Sequence, residues 1–217
     1  YDEGGNFAGS LGGQYGNGEN PVAIAYRAKD NVNKNNFFFG NAFSEVDILD
    51  GLMFRTNFGL KYENYNGLSY RYPNPEFTEG NMRNSRSECF EYCTEWTWPN
   101  TWKKQKKIGE HSFNVMAGTE AISNRYRQLN GNARDFFSMS SLDYLYLDAA
   151  SGSKTGGSNG TVGSMFSIFG KLDYSFKDRY ILSATVRRDG SSNFGPNNKY
   201  GVFPGISGAW RLSEEDF

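Results

Sequence analysis

From Phe166 to Leu212 the chain alternates apolar and polar residues with a period of two, and few folds tolerate that pattern. In the first run Phe166, Ile168, Leu172, Tyr174 and Phe176 share one parity, while Lys171, Asp173 and Ser175 hold the other. In the next, Tyr180, Leu182, Ala184 and Val186 oppose Ser183, Thr185, Arg187 and Asp189. The third sets Val202, Ile206, Trp210 and Leu212 against Ser207 and Arg211. Successive side chains of a strand point to opposite faces, so each run has one apolar and one polar face. Alternation over about ten residues marks a half-buried antiparallel strand or a strand of a transmembrane barrel.

Four earlier strands follow from the same reading. The first, about 37–48, has an ambiguous phase, because Phe37, Phe39 and Phe43 oppose Phe38, Val46 and Ile48. It ends in Asp50-Gly51, a two-residue hairpin signal. The second sets Leu52, Phe54, Phe58, Leu60 and Tyr62 against Arg55, Asn57, Lys61 and Glu63. In the third, about 87–104, Phe90, Tyr92, Trp96, Trp98 and Trp102 oppose Glu91, Glu95 and Thr97, with Pro99 as the expected site of a bulge. The fourth places Phe113, Val115 and Ala117 against Ser112, Asn114 and Glu120.

The connections sort by length. Those at 49–51, 105–110 and 177–179 are short; those at 66–86, 123–162 and 190–200 are long or glycine-rich, the second with an expected helical turn at 133–139. In an up-and-down meander, strict alternation puts every short turn at one end and every long loop at the other, as in outer-membrane barrels. Trp102, Tyr174, Phe176, Tyr180 and Trp210 all lie near short turns, where a barrel carries an interfacial aromatic girdle.

Composition agrees and excludes several function classes. Twenty-six glycines and 17% aromatics favour strands and turns over helices. No apolar run reaches the roughly 18 residues of a transmembrane helix, which leaves a barrel open. A net charge of -1 gives no electrostatic case for nucleic acid. The run Lys103-Lys104-Gln105-Lys106-Lys107 reads as a solvated hairpin end. The glycine cluster between Gly4 and Gly18 follows no strand and precedes no Gly-Lys-Ser/Thr, so it is not a phosphate cradle. Residues 1–36 read as an extracellular loop leading into a barrel segment at 37–217. The start at Tyr1 and the end in Ser213-Glu214-Glu215-Asp216-Phe217 lead us to expect a piece of a longer protein.

Five segments together resemble the SusC/RagA family of TonB-dependent outer-membrane transporters: Asn20–Ala23 (NPVA), Leu49–Tyr62, Tyr72–Asn81, His111–Ala121 and above all Phe166–Phe217. The resemblance implies about seven strands of a barrel of about 22, the size associated with plugged lumens, the plug and TonB box lying outside this stretch. It further implies import of a bulky nutrient, a glycan or oligosaccharide foremost and a peptide second, across the outer membrane of a Gram-negative bacterium. The implied partners are membrane lipid, a SusD-like lipoprotein and the TonB complex. Cys89, Cys93 and the loops after Tyr65 and Asn124 fall outside the family pattern.

The residues offer no enzyme site, cofactor or metal. His111, the single histidine, reads as an exposed turn residue, and no nucleophile elbow is present. Glu91 and Glu95 would lie about 13 Å apart on one strand face, beyond the about 5–9.5 Å of glycosidase carboxylate pairs. Cys89 and Cys93 have the same spacing, too far to bridge unless the segment is a loop. Arg187 and Asp189 read as a charged network ordering the polar wall, and Pro204 as a bulge or bend. No substrate-binding residue is named. Two other readings use the same alternation: a soluble carbohydrate-binding β-sandwich and a passive porin.

Overall fold

A computed structural model describes residues 4–10, 18–195 and 197–215. One short helix, α1 (Pro21–Ala28), precedes seven strands: β1 (Val32–Leu49), β2 (Leu52–Arg71), β3 (Ser85–Ile108), β4 (His111–Arg134), β5 (Lys154–Phe176), β6 (Tyr180–Ser191) and β7 (Tyr200–Trp210). They form a single antiparallel meander in the order β1-β2-β3-β4-β5-β6-β7. The connections alternate as the sequence predicts, short at 50–51, 109–110 and 177–179, long at 72–84, 135–153 and 192–199.

The strands run further than alternation alone marks. β2 continues to Arg71, β4 to Arg134, and β5 begins at Lys154, so the expected loops at 66–86 and 123–162 shrink. These added stretches are rich in Asn, Ser and Gly, which are weak strand formers held here by ladder pairing with their neighbours. The helical turn expected at 133–139 is not formed; 3₁₀ turns at Leu142–Tyr144 and Leu147–Ala149 take its place. Residues 1–36 are not wholly loop either. Asn20 caps α1, its side-chain oxygen accepting from the amides of Val22 at 2.9 Å and Ala23 at 3.2 Å, with Pro21 just inside the helix.

The turns show how local chemistry is distributed. Gly51 (φ 64°) and Gly109 (φ 59°) take the left-handed conformation that glycine adopts without penalty. In the third turn the same region is occupied by Lys177 (φ 52°) and Asp178 (φ 54°), with Arg179 N donating to Phe176 O at 3.0 Å, the pattern of a type I′ hairpin turn.

Neither proline breaks its strand. β3 continues through Pro99. The β6–β7 register runs without interruption from Tyr180↔Trp210 to Gly190↔Tyr200, so there is no bulge at Pro204 in that pairing. Arg211 N donates to Arg179 O and Ser191 N to Lys199 O. Hydrogen-bonded pairs therefore fall on odd residues, and Val186↔Pro204 is a non-bonded pair. Pro204 N points away from β6 and costs this ladder nothing, as prolines on outermost strands do.

The chain divides into two compact units. One comprises Tyr1–Asn36, Glu63–Tyr92 and Arg127–Gly160; the other comprises Phe37–Tyr62, Cys93–Tyr126 and Thr161–Phe217. The first has a small core of Ala133, Phe136, Leu145 and Ala150, joined by Tyr70, Met139, Leu142 and Leu147. In the second, the large apolar side chains of the strands stay uncovered, Leu182 at 45%, Val186 at 50% and Ile206 at 79% exposure. A sandwich would bury that face at about 25 cal/mol per Å² of apolar area, so an open apolar face argues against the soluble β-sandwich.

Candidate functional site

In the second unit, strand alternation and register separate a polar from an apolar face. Asp173↔Ser183 and Lys171↔Thr185 face one way; Leu172↔Ala184, Tyr174↔Leu182 and Phe176↔Tyr180 face the other. On the polar face Arg187 donates to Asp189 at 2.6 Å, to Glu120 at 2.5 Å and to Ser167, which is fully buried, at 2.9 Å. Asp173 accepts from Ser183 at 2.6 Å, from Asn114 at 3.3 Å and from Lys171 at 3.0 Å. These carboxylates are consumed by structural partners, the ordered wall network expected of Arg187 and Asp189. Arg188, of opposite parity, lies with its guanidinium 4.2 Å from the Tyr200 ring centre.

The apolar face ends in a row of rings near the short turns. Ring centres lie 5.1 Å apart for Phe113–Tyr174, 4.8 Å for His111–Phe176, 6.4 Å for Phe176–Tyr180 and 6.2 Å for Tyr180–Trp210. The polar tips point to partners: Trp210 Nε1 and Tyr180 OH each donate to Glu215 at 3.0 Å, and those bonds, Trp210 foremost, hold the Glu215 carboxyl below its ordinary range. A face that is apolar in the middle and ringed with amphipathic aromatics is what a barrel presents to lipid. His111, exposed at the start of β4, belongs to this belt, with Nδ1 2.8 Å from Tyr174 OH; position alone had suggested only a turn residue.

Contacts across β1 and β2 settle the ambiguous phase. Lys61 Nζ lies 5.8 Å from the Phe37 ring centre and the Arg55 guanidinium 4.9 Å from that of Phe43. Phe37 and Phe43 therefore share the face of the basic residues, although composition had left them free to take either side.

In the first unit, α1 is clamped by a bidentate ion pair, Arg27 to Glu76 at 2.5 and 2.8 Å. That hydrogen bonding keeps the Glu76 carboxyl below the usual carboxylate range, against a smaller opposing effect of burial. Tyr72 donates to Asp30 at 2.9 Å, and burial followed by that bond pushes its phenol up to about 12. Loop 135–153 is anchored by the buried Arg86, whose guanidinium donates to Leu145 O, pairs with Glu88 at 2.6 Å and lies 5.5 Å from the Tyr70 ring centre. Sequence inspection passes over Arg86, since burial of a guanidinium depends on a loop far away in the chain.

The same unit carries a shallow depression of about 430 Å³ across β1 to β5. Cross-strand bonds fix which residues share its face: Tyr65 OH to Asn33 at 2.8 Å, Asn132 to Ser87 at 2.7 Å, Gln128 to Glu91 at 2.8 Å and Asn159 to Gln128 at 3.1 Å. Its signal in the sequence is small polar residues and glycine at alternate positions of 67–69, 130–132 and 155–159, where loops were expected, and Ser87 and Cys89 at the start of the expected third strand.

Of the remaining singled-out residues, Cys89 lines this depression and the others do not assemble into a site. Cys89 and Cys93 are free thiols, and β3 holds them in one continuous strand. Glu91 accepts from Gln128 rather than pairing with Glu95. Lys104 Nζ donates to Asp50 O at 2.6 Å and Lys107 lies 3.9 Å from Asp178, both at the hairpin end where the basic run was expected to be solvated.

No family model matches the chain. Among curated proteins it is 28% identical over 201 residues to TonB-dependent receptor P3 of Formosa agariphila, covering 92% of this chain and 20% of the relative. It is 26% identical over 204 residues to TonB-dependent receptor SusC of Bacteroides thetaiotaomicron, covering 92% of this chain and 19% of the relative. The chain thus spans about a fifth of the length of these relatives. Among solved structures it matches the RagAB peptide transporter with a TM-score of 0.80 at 20% identity, over 87% of this chain and 21% of that one. The resemblance read from its segments and the barrel fold are both borne out, and these relatives are receptors and transporters rather than enzymes.

Proposed function

We propose that this chain, a relative of the SusC-type TonB-dependent receptors, is part of the barrel wall of an outer-membrane importer of bulky nutrients. On this reading a SusD-like lipoprotein delivers the cargo, a glycan or oligosaccharide in the first instance and a peptide in the second. The TonB complex supplies energy through a plug outside this stretch. The observation that carries it is the division of the second unit into an uncovered apolar face ringed by aromatics and a polar face of mutually bonded charges, since only lipid solvates the first without cost.

The mechanism assigned to these residues is positional. Arg187, Glu120 and Asp189 satisfy one another, so the polar wall holds its shape beside passing cargo, while Tyr180, Trp210 and His111 fix the depth of the turns at the membrane surface. The test is uptake by cells expressing the full-length gene with and without a functional TonB protein. Fractionation to the outer membrane and uptake lost without TonB are the expected results. Uptake independent of TonB would instead indicate the passive porin, and a stable soluble monomer would overturn the barrel reading.

A further inference from the structure

The two faces of the second unit also differ in the sign of their charge. Its strand carboxylates, Glu45, Asp47, Glu95, Glu120, Asp173 and Asp189, all have the parity of the polar face. Among the described strand residues the apolar face carries no carboxylate, and its ionised side chains are all cations: Lys104 and Lys106 beside a short turn, Arg125 and Arg188 toward the long loops. Lys104 is bonded to Asp50 O, while Arg125 and Arg188 form no ion pair among the described residues.

Water is not the default partner of Arg188. Its ladder neighbours on the same face are Ile168 on β5 and Val202 on β7, both uncovered apolar side chains. It stands eight residues from Tyr180 along β6, about 26 Å at a rise of about 3.3 Å, and about 20 Å higher at a strand tilt of about 40°. With Tyr180 in the lower aromatic belt, the guanidinium lies near the top of an apolar band about 25 Å tall, where the headgroups of the outer leaflet begin. A cation in that wall needs an anion, and the protein supplies none on this face.

Beside Arg188 the same face opens into a cleft of about 420 Å³, lined by Trp96, Phe166 and Tyr200 around the small side chains of Ala121, Ser123 and Ser164. Tyr200 joins the cleft to the cation. Its ring packs against Gly190, where an added Cβ would meet it, and the Arg188 guanidinium lies 4.2 Å from its centre. Lys199 also lines the cleft, and Arg125 follows Ser123 by two residues on the same face. An aromatic-walled slot beside cations, on a face without carboxylates, complements a molecule with hydrocarbon at one end and fixed negative charge at the other. Phosphate suits a guanidinium best, because its oxygens take the fork of N–H groups in pairs.

We infer that this cleft and Arg188 bind a phosphate-bearing lipid of the outer leaflet, an acyl chain lying in the cleft and the phosphate on the guanidinium. Arg125 and Lys199 add positive charge around the headgroup. The inference rests on the outer-membrane placement in the reading above and is independent of the cargo. It makes one lipid a fixed part of the wall rather than mere solvent for it.

The experiment titrates the full-length protein, in a neutral detergent, with phosphorylated lipid A and with its dephosphorylated form, and reads bound lipid by native mass spectrometry. The wild type is expected to bind the phosphorylated lipid at least about tenfold more tightly. Arg188→Gln lowers that affinity about five- to tenfold and Arg188→Lys lowers it less. Arg55→Gln, which removes a cation from the polar face, leaves it unchanged. Unchanged heat-modifiable migration shows that a variant still folds, and the comparison of the two lipids on the wild type decides even where Arg188→Gln does not. Equal binding of the two lipids, full binding by Arg188→Gln, an equal loss in Arg55→Gln, or displacement of the lipid by inorganic phosphate at equal concentration overturns the inference. Phosphate-selective lipid binding by a protein whose uptake ignores TonB supports the site while removing the importer reading; TonB-dependent uptake by a protein without that selectivity does the reverse.

Discussion

The two faces of β5, β6 and β7 invert the usual distribution of exposure. Ser167 on the polar side is fully buried under Arg187, whereas Ile206 on the apolar side is 79% exposed. In a water-soluble domain the apolar face drives folding because water rejects it. Here polar groups gather toward one another and apolar ones are left outward, so the medium beyond the apolar face must itself be apolar. A sheet can be amphipathic in the ordinary sense and still be built for a bilayer; the sign is which face closes on itself.

That contrast can be broken most severely from the apolar side. Val186→Arg is expected to destabilise the folded barrel by about 2–4 kcal/mol, as arginine does near a bilayer midplane, while Thr185→Arg one residue away costs less than about 1 kcal/mol. Urea titration of the full-length protein in lipid vesicles compares the two, and equal costs would refute the assignment of faces. On the polar side, Arg187→Ala leaves Glu120 and Asp189 without their shared donor and is expected to cost about 1–3 kcal/mol in the same titration. Arg187→Lys should fall between, since it keeps the charge but loses the fork.

A gentler test concerns α1. Because Arg27 lowers the Glu76 carboxyl, that pair contributes its full stabilisation above the ordinary glutamate value of about 4.3 and loses it as pH falls through the lowered folded value. Protection factors of the α1 amides from Val22 to Ala28, taken relative to the unfolded-chain rate at each pH, should therefore hold down to about pH 4 and fall below it. Glu76→Gln should exchange faster at pH 7 and respond little to acid. The smallest effect has the opposite sign. Asp178→Gly relieves a left-handed non-glycine residue and is expected to stabilise the β5–β6 hairpin by about 0.5–1 kcal/mol, read as slower unfolding of the vesicle-bound protein.

How far the fold could be read depended on how repetitive the local signal was. β5 to β7 follow directly from alternation, because a period of two leaves each side chain one face to choose. β1 does not, since Phe37, Phe38 and Phe39 fit either phase; Lys61 and Arg55 on the neighbouring strand decide it. Helix α1 carried its own signal in Asn20-Pro21, but eight residues among glycines and asparagines fell below what periodicity detects. The added lengths of β2, β4 and β5 were unreadable because Asn, Ser and Gly become strand only when a partner ladder satisfies their backbone.

The sequence by itself determined the all-β meander, the alternation of short turns with long loops and the two-faced character of the later strands. These follow from near-neighbour chemistry repeated along the chain. Tertiary structure alone decided the aromatic row through His111, the burial of Arg86 beneath Leu145 and the depression that joins Gly67, Asn130 and Gly157. Each of these joins residues from strands and loops far apart in the chain, and their juxtaposition depends on strand register, which a single strand's pattern does not contain.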